Sequence, residues 1–514
     1  MRVFLLFVIV LNVNLCFAQN KHKVFEYSEI SPKTDKSKIY HLEIHGFYYK
    51  INELPTDIAE FKNLKSLTIK FQDSLTDITP LSNLTNLEKL TVSHCNGIES
   101  LKGIYNLKHL KNLNISFCEL LTLPKKIKKI TQLEHIRIGN LENEKHIKRI
   151  IPLKKLKSLD VYLNYKIPKA ILKLKSLRKV RLSADSISDY ESFKYLAQID
   201  TLIFEQTKLD SIPKSFKYLK NLKYLDLHYS NNLTDLSNLK YTKQLEYLNL
   251  SSCDISEIPE TFKEFKELKH LNISDNRKLS DYRSTEVLEH LTKLETLDIS
   301  YSNISDIRPE ILALKNLKSL KIGSVLQNFE GLEQLTNLTH LDLQENRGTG
   351  YMLPYEVSQL KKLKYLNLFD NDNLESLAGI ENLSDLEELN LSFCPFESVP
   401  KYLIKLKKLK KLNLSFNKKI KRFDYLGKIE HLEELNIGFC NLKELPKEVY
   451  ALKNLEILHF DYYKDGIDNK VFDDLKNIKE VYLNYSEDEA YVEIENLKKK
   501  YPNIKIHTFH RRAN

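Results

Sequence analysis

The segment HLEIH places His41, Glu43 and His45 at alternate positions, and these residue types bind zinc in many proteins. A β-strand would bring all three to one face, because alternate residues of a strand lie on the same side. Residues four apart on a strand are nevertheless about 13 Å apart. A shared zinc ion needs both nitrogens about 2 Å away, and the helical HExxH motif has a different spacing. We therefore predict no metal site here.

The motifs do not support nucleotide binding or catalysis. The sequence has 12 glycines, and Gly348-Thr349-Gly350 is its only GxG triplet. This triplet lacks the third glycine of a dinucleotide-binding fingerprint, and no GxxxxGK phosphate loop occurs. No Ser/His/Asp or Cys/His set stands out from the chance combinations of so polar a chain. We expect no catalytic residue, no cofactor and no enzymatic activity.

A repeated frame, LxxLxLxx, determines where all these residues lie. It recurs with a modal spacing of about 23 residues from residue 39 onward, with clear examples starting at Leu87, Leu222, Leu386, Leu409 and Leu432. Alternation predicts that each LxL is a short strand with its leucines pointing inward. About twenty repeats in phase predict a solenoid with one strand per repeat and leave no room for a separate catalytic domain.

Three positions of the frame carry the candidate site. The central position lies between the two inward leucines, the corner position is two residues after the second leucine, and the inward position is the next residue. Aromatic residues occupy the corner position of five successive repeats: Phe393, Phe416, Phe439, Tyr462 and Tyr485. Asparagines occupy the central position of four: Asn367, Asn390, Asn413 and Asn436. Exposed rings beside amides are typical of a recognition surface, so these nine residues are the predicted ligand-binding site.

Earlier repeats carry the same kind of residue at the corner position, with interruptions. These residues are Phe71, Phe117, Tyr229 and Tyr301. An alternative explanation is that the rings fold back over the strand edge and were copied with duplicated LNLSF units. The sequence leaves both interpretations of the aromatic column open.

The inward position holds all five cysteines that follow residue 18. They are Cys95, Cys118, Cys253, Cys394 and Cys440, and other repeats have Asn164, Asn276, Asn346, Asn371 and Asn417 there. We expect buried thiols at a turn whose polar backbone must be satisfied. Cys95 and Cys118 lie in adjacent repeats, about one strand spacing apart, which is within disulfide reach. The sequence leaves open whether they pair.

Two styles of return segment follow the strands. TDITPLSNL from Thr76 resembles the short internalin-like class, and ELPKEVYAL from Glu444 resembles the Leu-Pro class of leucine-rich repeats. The chain as a whole therefore resembles secreted bacterial leucine-rich repeat proteins. The resemblance implies an α/β solenoid of horseshoe form, with a concave parallel sheet and short helical or 3-10 segments on the convex side. For function it implies only a binding scaffold.

The sequence divides into four predicted segments. Residues 1–18, with Arg2 and an apolar run before a cleavage site at Gln19, are typical of a signal peptide. Residues 19–38 are a leader or cap, 39–485 the repeat array, and 486–514 a capping helix and closing strand. The capping box of Ser486 with Glu489 predicts that helix. We expect export to the periplasm, the cell surface or the medium, and no membrane span, because no later apolar run is long enough.

The charge pattern excludes one class of partner. The chain has 79 Lys and Arg against 69 Asp and Glu, a net charge of +10 spread over 514 residues. Nucleic-acid binding usually needs a concentrated basic patch, so we expect no nucleic-acid partner. The leading hypothesis is a non-catalytic scaffold that binds a protein ligand. The alternative is a glycan-binding adhesion protein that uses the same aromatics, and a repeat effector with ligase activity ranks third.

Overall fold

The computed structural model describes most of the chain. The described residues are 23–47, 49–98, 100–118, 123–140, 144–162, 165–183, 187–280, 285–323, 326–346, 350–461, 470–485 and 488–510. The predicted signal peptide, Tyr462, Asn164 and Ser486 lie outside these ranges. Within them, no helix combines the length and apolar character that crossing a bilayer requires.

The chain forms two compact units, the first comprising residues 1–204 with 218–222 and the second residues 205–217 with 223–514. Parallel strands make up the sheet of the first unit, one from the predicted leader and the rest one per repeat, as the LxL motif predicts. They are β1 (Val24–Glu26), β2 (His41–His45), β3 (Ser66–Lys70), β4 (Lys89–Ser93), β5 (Asn112–Ser116), β6 (His135–Asn140), β7 (Ser158–Tyr162), β9 (Lys179–Ser183) and β11 (Thr201–Ile203). Two further strands, β8 (Tyr165–Lys166) and β10 (Ile187–Asp189), pair with each other.

The second unit repeats the same parallel arrangement. Its strands are β12 (Tyr224–Asp226), β13 (Tyr247–Asn249), β14 (His270–Asn272), β15 (Thr296–Asp298), β16 (Ser319–Lys321), β17 (His340–Asp342), β18 (Tyr365–Asn367), β19 (Glu388–Asn390), β20 (Lys411–Asn413), β21 (Glu434–Asn436), β22 (Ile457–Asp461), β23 (Glu480–Tyr485) and β24 (Lys505–His510). The register pairs each central residue with the next one, as Asn390 with Asn413. This is the predicted leucine-rich repeat solenoid.

Short helices return the chain between strands, as predicted. The 3-10 helices are Tyr27–Glu29, Lys36–Lys38, Ile58–Glu60, Thr79–Asn83, Lys102–Ile104, Lys125–Lys129, Lys169–Lys173, Tyr190–Leu196, Lys214–Tyr218, Ser237–Tyr241, Glu260–Glu264, Glu286–His290, Leu332–Gln334, Ile380–Asn382, Lys401–Lys405, Leu426–Lys428 and Lys447–Ala451. The α-helices are Glu144–Ile150, Pro309–Leu312, Tyr355–Ser358, Lys470–Asp474 and Asp488–Lys500.

The two ends of the described chain both add strands to the sheet. Val24–Glu26, within the predicted leader, pairs with β2. At the other end the longest helix, Asp488–Lys500, buries Ile494 and Leu497 and leads into β24, which pairs with β23. Residues outside the regular repeats therefore cover apolar side chains that terminal repeats of a solenoid would otherwise expose.

The core consists of the inward leucines and the apolar residues of the return segments. Leu389 and Leu391 on either side of Asn390 are 2% and 0% exposed, and Leu403 of the return helix is fully buried. Burial of one such side chain contributes about 1.5–3 kcal/mol. Because each repeat contacts mainly its neighbours, this burial accumulates along the chain.

Strand length within the second unit depends largely on the central residue. Where this residue is Asn or Asp in the second unit, its side-chain oxygen accepts a hydrogen bond from the backbone N–H two residues later, as Asn390 does from Ser392 at 3.1 Å. That N–H would otherwise extend the pairing to the preceding strand. Such strands of the second unit have three residues, whereas β22, with His459 at its centre, has five. Strands β11 and β16 are also short although Ile203 and Lys321 cannot accept such a bond. In the first unit β5 and β7 keep five residues although Asn114 and Asp160 are at their centres.

The inward residue then satisfies the carbonyl group that lost its strand partner. Cys394 Sγ donates to Leu368 O at 3.2 Å, and Asn417 Nδ2 donates to Leu391 O at 2.9 Å. Asn276 Nδ2 does the same for Leu250 O at 2.9 Å. The central and inward residues therefore act together and replace one backbone hydrogen bond with two side-chain bonds.

A column of alternating charges runs along the residues that immediately precede the strands. In the second unit it comprises Lys223, Glu246, Lys269, Glu295 and Lys318. Glu246 accepts ion pairs from both neighbours, at 2.8 Å from Lys223 and 2.9 Å from Lys269. These two lysines lower the pKa of Glu246 to about 2. A similar column in the first unit includes Lys65, Glu88 and Lys111.

Candidate functional site

The corner residues Phe393, Phe416 and Phe439 form a continuous stack of rings, which we call the C-terminal ladder. The ring centroids of Phe393 and Phe416 are 4.2 Å apart with 13° between the planes. Those of Phe416 and Phe439 are 4.4 Å apart with 8° between the planes. Phe369 meets Phe393 edge-on at 5.2 Å. The structure therefore brings three of the five predicted corner aromatics into one surface.

The other two predicted corner aromatics are not part of the described stack. Tyr462 lies outside the described residues. Tyr485 is the last residue of β23, where it is half-buried and pairs in register with His510.

The ladder residues have a backbone conformation that L-residues rarely adopt. The φ angles of Phe393, Phe416 and Phe439 are 59°, 61° and 60°. Left-handed backbone costs a residue with a Cβ about 1–2 kcal/mol. Corner residues elsewhere have the same angle with small polar side chains, as at Ser252 (53°) and Asp370 (53°). The turn therefore does not require an aromatic ring.

The rings are neither core residues nor free in solvent. Phe393 is 36% exposed, and Phe416 and Phe439 are half-buried, whereas Phe460 on the inward side of β22 is fully buried. Phe393 and Phe439 cover the two faces of Phe416, so Phe416 meets solvent with its ring edge. The ladder therefore presents a row of hydrophobic edges rather than open ring faces.

The central asparagines have a structural role that the sequence did not predict. The side-chain oxygens of Asn413 and Asn436 accept from the N–H groups of Ser415 and Gly438, both at 3.0 Å. Asn390 makes the equivalent bond, and Asn367, which is 5% exposed, accepts from Phe369 and donates to Asp342 at 2.9 Å. The side-chain oxygen of each of these four asparagines thus stabilises the turn that leads to the corner residue.

Backbone and carboxylate bonds fix the corner residues themselves. The N–H of Phe416 donates to Gly438 O at 2.9 Å, in the pattern of the strand pairing. The N–H of Phe439 donates instead to the side chain of Asp461, at 2.8 Å to Oδ2. Asp461 also accepts from Asn484 at 3.2 Å. The ladder is therefore held at a defined position by bonds on the strands beside it.

A second set of stacked rings continues the central column beyond Asn436. His459 stacks on Tyr482 at 4.1 Å and Tyr482 on His507 at 4.4 Å, and we call these three residues the central ladder. Nε2 of His459 lies 3.5 Å from a carboxylate oxygen of Glu434. Sequence reasoning missed this set. Counting the central position one repeat at a time past Asn436 would have found it, because the register pairs Asn436 with His459.

The first unit has a ladder of its own, formed by three corner residues and by Phe47, which follows the corner residue Gly46. Phe71, His94 and Phe117 stack at 4.6 and 4.5 Å, and Phe47 stacks on Phe71 at 4.7 Å. We call these four residues the N-terminal ladder. Phe47 and Phe117 are 75% and 63% exposed, and the guanidinium of Arg137 lies 6.0 Å from the Phe117 ring. The sequence showed an interruption here only because His94 was not counted as aromatic.

Several acidic residues of the second unit are already engaged within the chain. Tyr301 donates to Glu345 at 2.7 Å across two repeats, and burial together with this bond raises the pKa of Tyr301. Burial also raises the pKa of the Asp342 carboxyl. Asp226 contacts the ring of His228 at 2.7 Å. These carboxylates stabilise the sheet surface and are less available to a partner.

The residue groups considered for metal binding or redox chemistry have other contacts. Glu43 of the HLEIH segment pairs with Lys70 at 2.9 Å. Across the described residues, no three His, Cys, Asp or Glu side chains have an arrangement suited to a metal ion. The five cysteines among the described residues are free, and burial raises the pKa of Cys253, Cys394 and Cys440 to about 12.

Two family models match parts of the chain. A model described as plant disease resistance protein RPS2-like, leucine-rich repeats, matches residues 42–163, and a leucine rich repeat model matches residues 243–304. A sequence search of curated proteins gives no significant match. The matched residues lie in both units, and the repeats are leucine-rich repeats.

Solved structures share the fold at low sequence identity. Mouse RP105, in its complex with MD-1, is 19% identical, with 87% of each chain covered and a TM-score of 0.55. The TLR13–ssRNA13 complex is 18% identical, covers 95% of this chain and 84% of that one, and has a TM-score of 0.52. Internalin InlF from Listeria monocytogenes is 23% identical over 60% of this chain and 87% of its own, with a TM-score of 0.43. At these identities the likeness to the first two structures shows the fold alone.

Proposed function

We propose that this chain is a non-catalytic, exported scaffold that binds a protein partner through the C-terminal ladder and the adjoining central ladder. The observation that carries the proposal is the stack of Phe393, Phe416 and Phe439 at turns that other repeats build with small polar residues. Gly, Asn or Asp at each of these turns would adopt the left-handed backbone with less strain than Phe. The folding of these turns does not explain why the residues are aromatic, whereas a role in binding at the surface does.

The composition of this surface favours a protein partner. Aromatic rings are enriched at the energetically dominant positions of protein interfaces, and fixed rings lose little conformational entropy on binding. Ring edges contact apolar side chains and peptide carbonyl groups well, because the edge of an aromatic ring carries partial positive charge. Glu434 and Glu480 beside the central ladder add charged groups that can select a partner.

A glycan partner is less well supported by the same geometry. Stacking of a sugar needs an open ring face, and the neighbouring rings cover both faces of Phe416. Ligase activity would require a catalytic domain, for which the repeat frame leaves no room up to residue 506. Export is supported by the amino-terminal sequence, whose charged start, apolar run and small residues before Gln19 are typical of a signal peptide. The same features are consistent with the secreted bacterial class that the repeats resemble.

The experiment compares two matched double variants of the full chain. Phe416→Asn with Phe439→Asn removes two rings of the C-terminal ladder, and Phe71→Asn with Phe117→Asn removes two rings of the N-terminal ladder. All four residues are at the corner position with φ between 53° and 61°. Each immobilised protein is exposed to the extracellular fraction of the source organism, and captured proteins are identified, purified and titrated by calorimetry.

The wild type and the N-terminal variant should bind the same partner with similar affinity. The C-terminal variant should lose about 30-fold per ring, since truncating an interface aromatic typically costs about 2 kcal/mol. Equal binding by all three proteins would refute the assignment of the site. Release of the captured material by free sugar would replace the protein partner with a glycan.

A further inference from the structure

We infer that Cys95 and Cys118 are a covalent modification site, a dithiol that closes to a disulfide by exchange with a small disulfide such as oxidised glutathione. Both are free in this structure. The two residues occupy the inward position of adjacent repeats, two residues beyond β4 and β5. The strand register pairs Ser93 with Ser116, so each thiol lies two residues beyond one member of the same backbone pair.

The backbone spacing suits a disulfide. Neighbouring strands lie about 4.8 Å apart, and disulfides join Cα atoms about 4.4–6.8 Å apart. The thiols adopt the same orientation, with Cys95 Sγ 3.3 Å from Ser93 O and Cys118 Sγ 3.4 Å from Ser116 O. Rotation about the Cα–Cβ bonds is therefore the main movement that closure needs.

The other three cysteines lack such a neighbour and are held more firmly. A neighbouring inward position holds Asn276 for Cys253 and Asn417 for both Cys394 and Cys440, and Asn276 accepts from the N–H of Cys253 at 3.0 Å. The Sγ atoms of Cys253 and Cys440 lie 3.2 and 3.1 Å from the carbonyl of the preceding strand. The equivalent distance is 3.8 Å for both Cys95 and Cys118. This difference follows from strand length: β4 and β5 run two residues beyond the central residues Thr91 and Asn114, and Asn114 Oδ1 has no hydrogen-bond partner, so the preceding carbonyls are not left to the thiols.

The exposure of the two thiols and the groups around them indicate which thiol attacks first. Cys118 is half-buried, whereas Cys95 is fully buried. The thiol of Cys95 and the N–H groups of Cys95 and His94 stabilise a thiolate on Cys118 and lower its pKa. The neighbouring Cys118 sulfur and burial raise the pKa of Cys95. Cys118 is therefore the attacking thiol, and Cys95 completes the bond.

The electrons and protons balance in two exchange steps. The Cys118 thiolate attacks one sulfur of oxidised glutathione, which forms a mixed disulfide and releases one glutathione thiolate that takes up a proton. Cys95 then loses its proton and attacks the Cys118 sulfur, which releases the second glutathione. The two protein thiols are oxidised and one oxidised glutathione is reduced to two thiols.

The closed bond would join the two turns that carry a stacked pair of the N-terminal ladder. His94 and Phe117 immediately precede the two cysteines, and their rings stack at 4.5 Å. Oxidation would therefore fix the spacing of these rings covalently. This chemistry is independent of the C-terminal ladder and of its partner.

The test equilibrates the native full chain with oxidised glutathione at neutral pH, quenches it with acid, and alkylates it in denaturant. The expected result is an intact mass lower by two hydrogens before alkylation, loss of two alkylatable thiols, and a digest in which one cross-linked peptide contains Cys95 and Cys118. Cys95→Ser should leave Cys118 with at most one bound glutathione, and Cys394→Ser should still form the bond.

Two results would overturn the inference. One is that all five thiols that follow residue 18 are still alkylated after equilibration. The other is a stable mixed disulfide on Cys118 that Cys95 never resolves. Because the wild-type chain gives both readouts, the test holds even if a serine variant folds poorly.

Discussion

Asn413 and Asn417, four residues apart on opposite sides of one strand end, share a single structural task. Asn413 takes the N–H of Ser415 at 3.0 Å, and Asn417 supplies a donor at 2.9 Å to Leu391 O, the carbonyl that this N–H would otherwise have met. One residue faces the sheet surface and the other is fully buried. A change in either residue should therefore be felt at the turn that carries Phe416.

Replacement of Asn413 tests the outward half of this arrangement. Asn413→Ala leaves the N–H of Ser415 without its acceptor and should lower the free energy of unfolding by about 1 kcal/mol. Asn413→Asp keeps the acceptor and should stay close to wild type, since Asp298 occupies the same position and accepts from Ser300. Urea titration of the three proteins measures the difference. Equal stability of the Ala and Asp variants would contradict this role.

Replacement of Asn417 tests the inward half. Asn417→Ala leaves the buried carbonyls of Leu391 and Leu414 without their amide donor, and the expected loss is about 2–3 kcal/mol. Asn417→Cys should cost less, because the thiol of Cys440 makes the same kind of bond at the same position. A larger loss for Cys than for Ala, measured by the same titration, would show that volume and not hydrogen bonding decides stability here.

The ring of Phe416 should contribute little to folding. Phe416→Asn removes stacking worth about 0.5–1.5 kcal/mol per aromatic pair, but Asn tolerates the left-handed backbone better than Phe. Because Phe416 stacks on two rings, we expect a net loss of at most about 2 kcal/mol, whereas Phe460→Ala in the core should cost about 3–5 kcal/mol. Thermal melts of both variants give the comparison. A loss for Phe416 as large as that for Phe460 would identify the ladder as packing and remove it as a site.

The charged column should make stability sensitive to acid. The folded-state pKa of Glu246 is about 2, below its usual 4.5, so the stabilising effect is complete above pH 4.5 and is lost as the pH falls towards 2. Lysines lower the pKa of Glu88 and Glu295 in the same direction. Replacing these three residues with Gln should flatten the dependence of melting temperature on pH in this window at low salt.

Salt provides the control for this prediction, because these side chains are exposed and salt screens their ion pairs. At high salt the wild type and the Gln variant should show the same dependence on pH. A slope that persists in the Gln variant at low salt would assign the acid sensitivity to other carboxylates.

The sequence predicted the repeat frame, the strand positions and the 3-10 return segments, because leucine spacing determines which residues can be buried. It did not predict strand length, which depends on the hydrogen bonds of Asn390 and its equivalents. Nor did it show that the rings of Phe393 and Phe416 cover each other, because stacking depends on side-chain angles that spacing leaves free. His459, Tyr482 and His507 were missed because the central column was followed only while it contained amides.

The alternation of Lys and Glu before the strands also disfavours the pairing of a strand with the wrong one of two similar repeats. LNLSF occurs at residues 389–393 and again at 412–416, so either segment could pair in the place of the other during folding. A shift by one repeat along Lys223, Glu246 and Lys269 would bring like charges together, whereas the native order pairs opposite ones. Only a shift by two repeats restores the attraction, and it requires a much longer displaced loop. The alternating charges therefore favour pairing with the native neighbouring repeat over pairing with a repeat displaced by one position. Misassembly of repeats is a characteristic failure of repeat proteins.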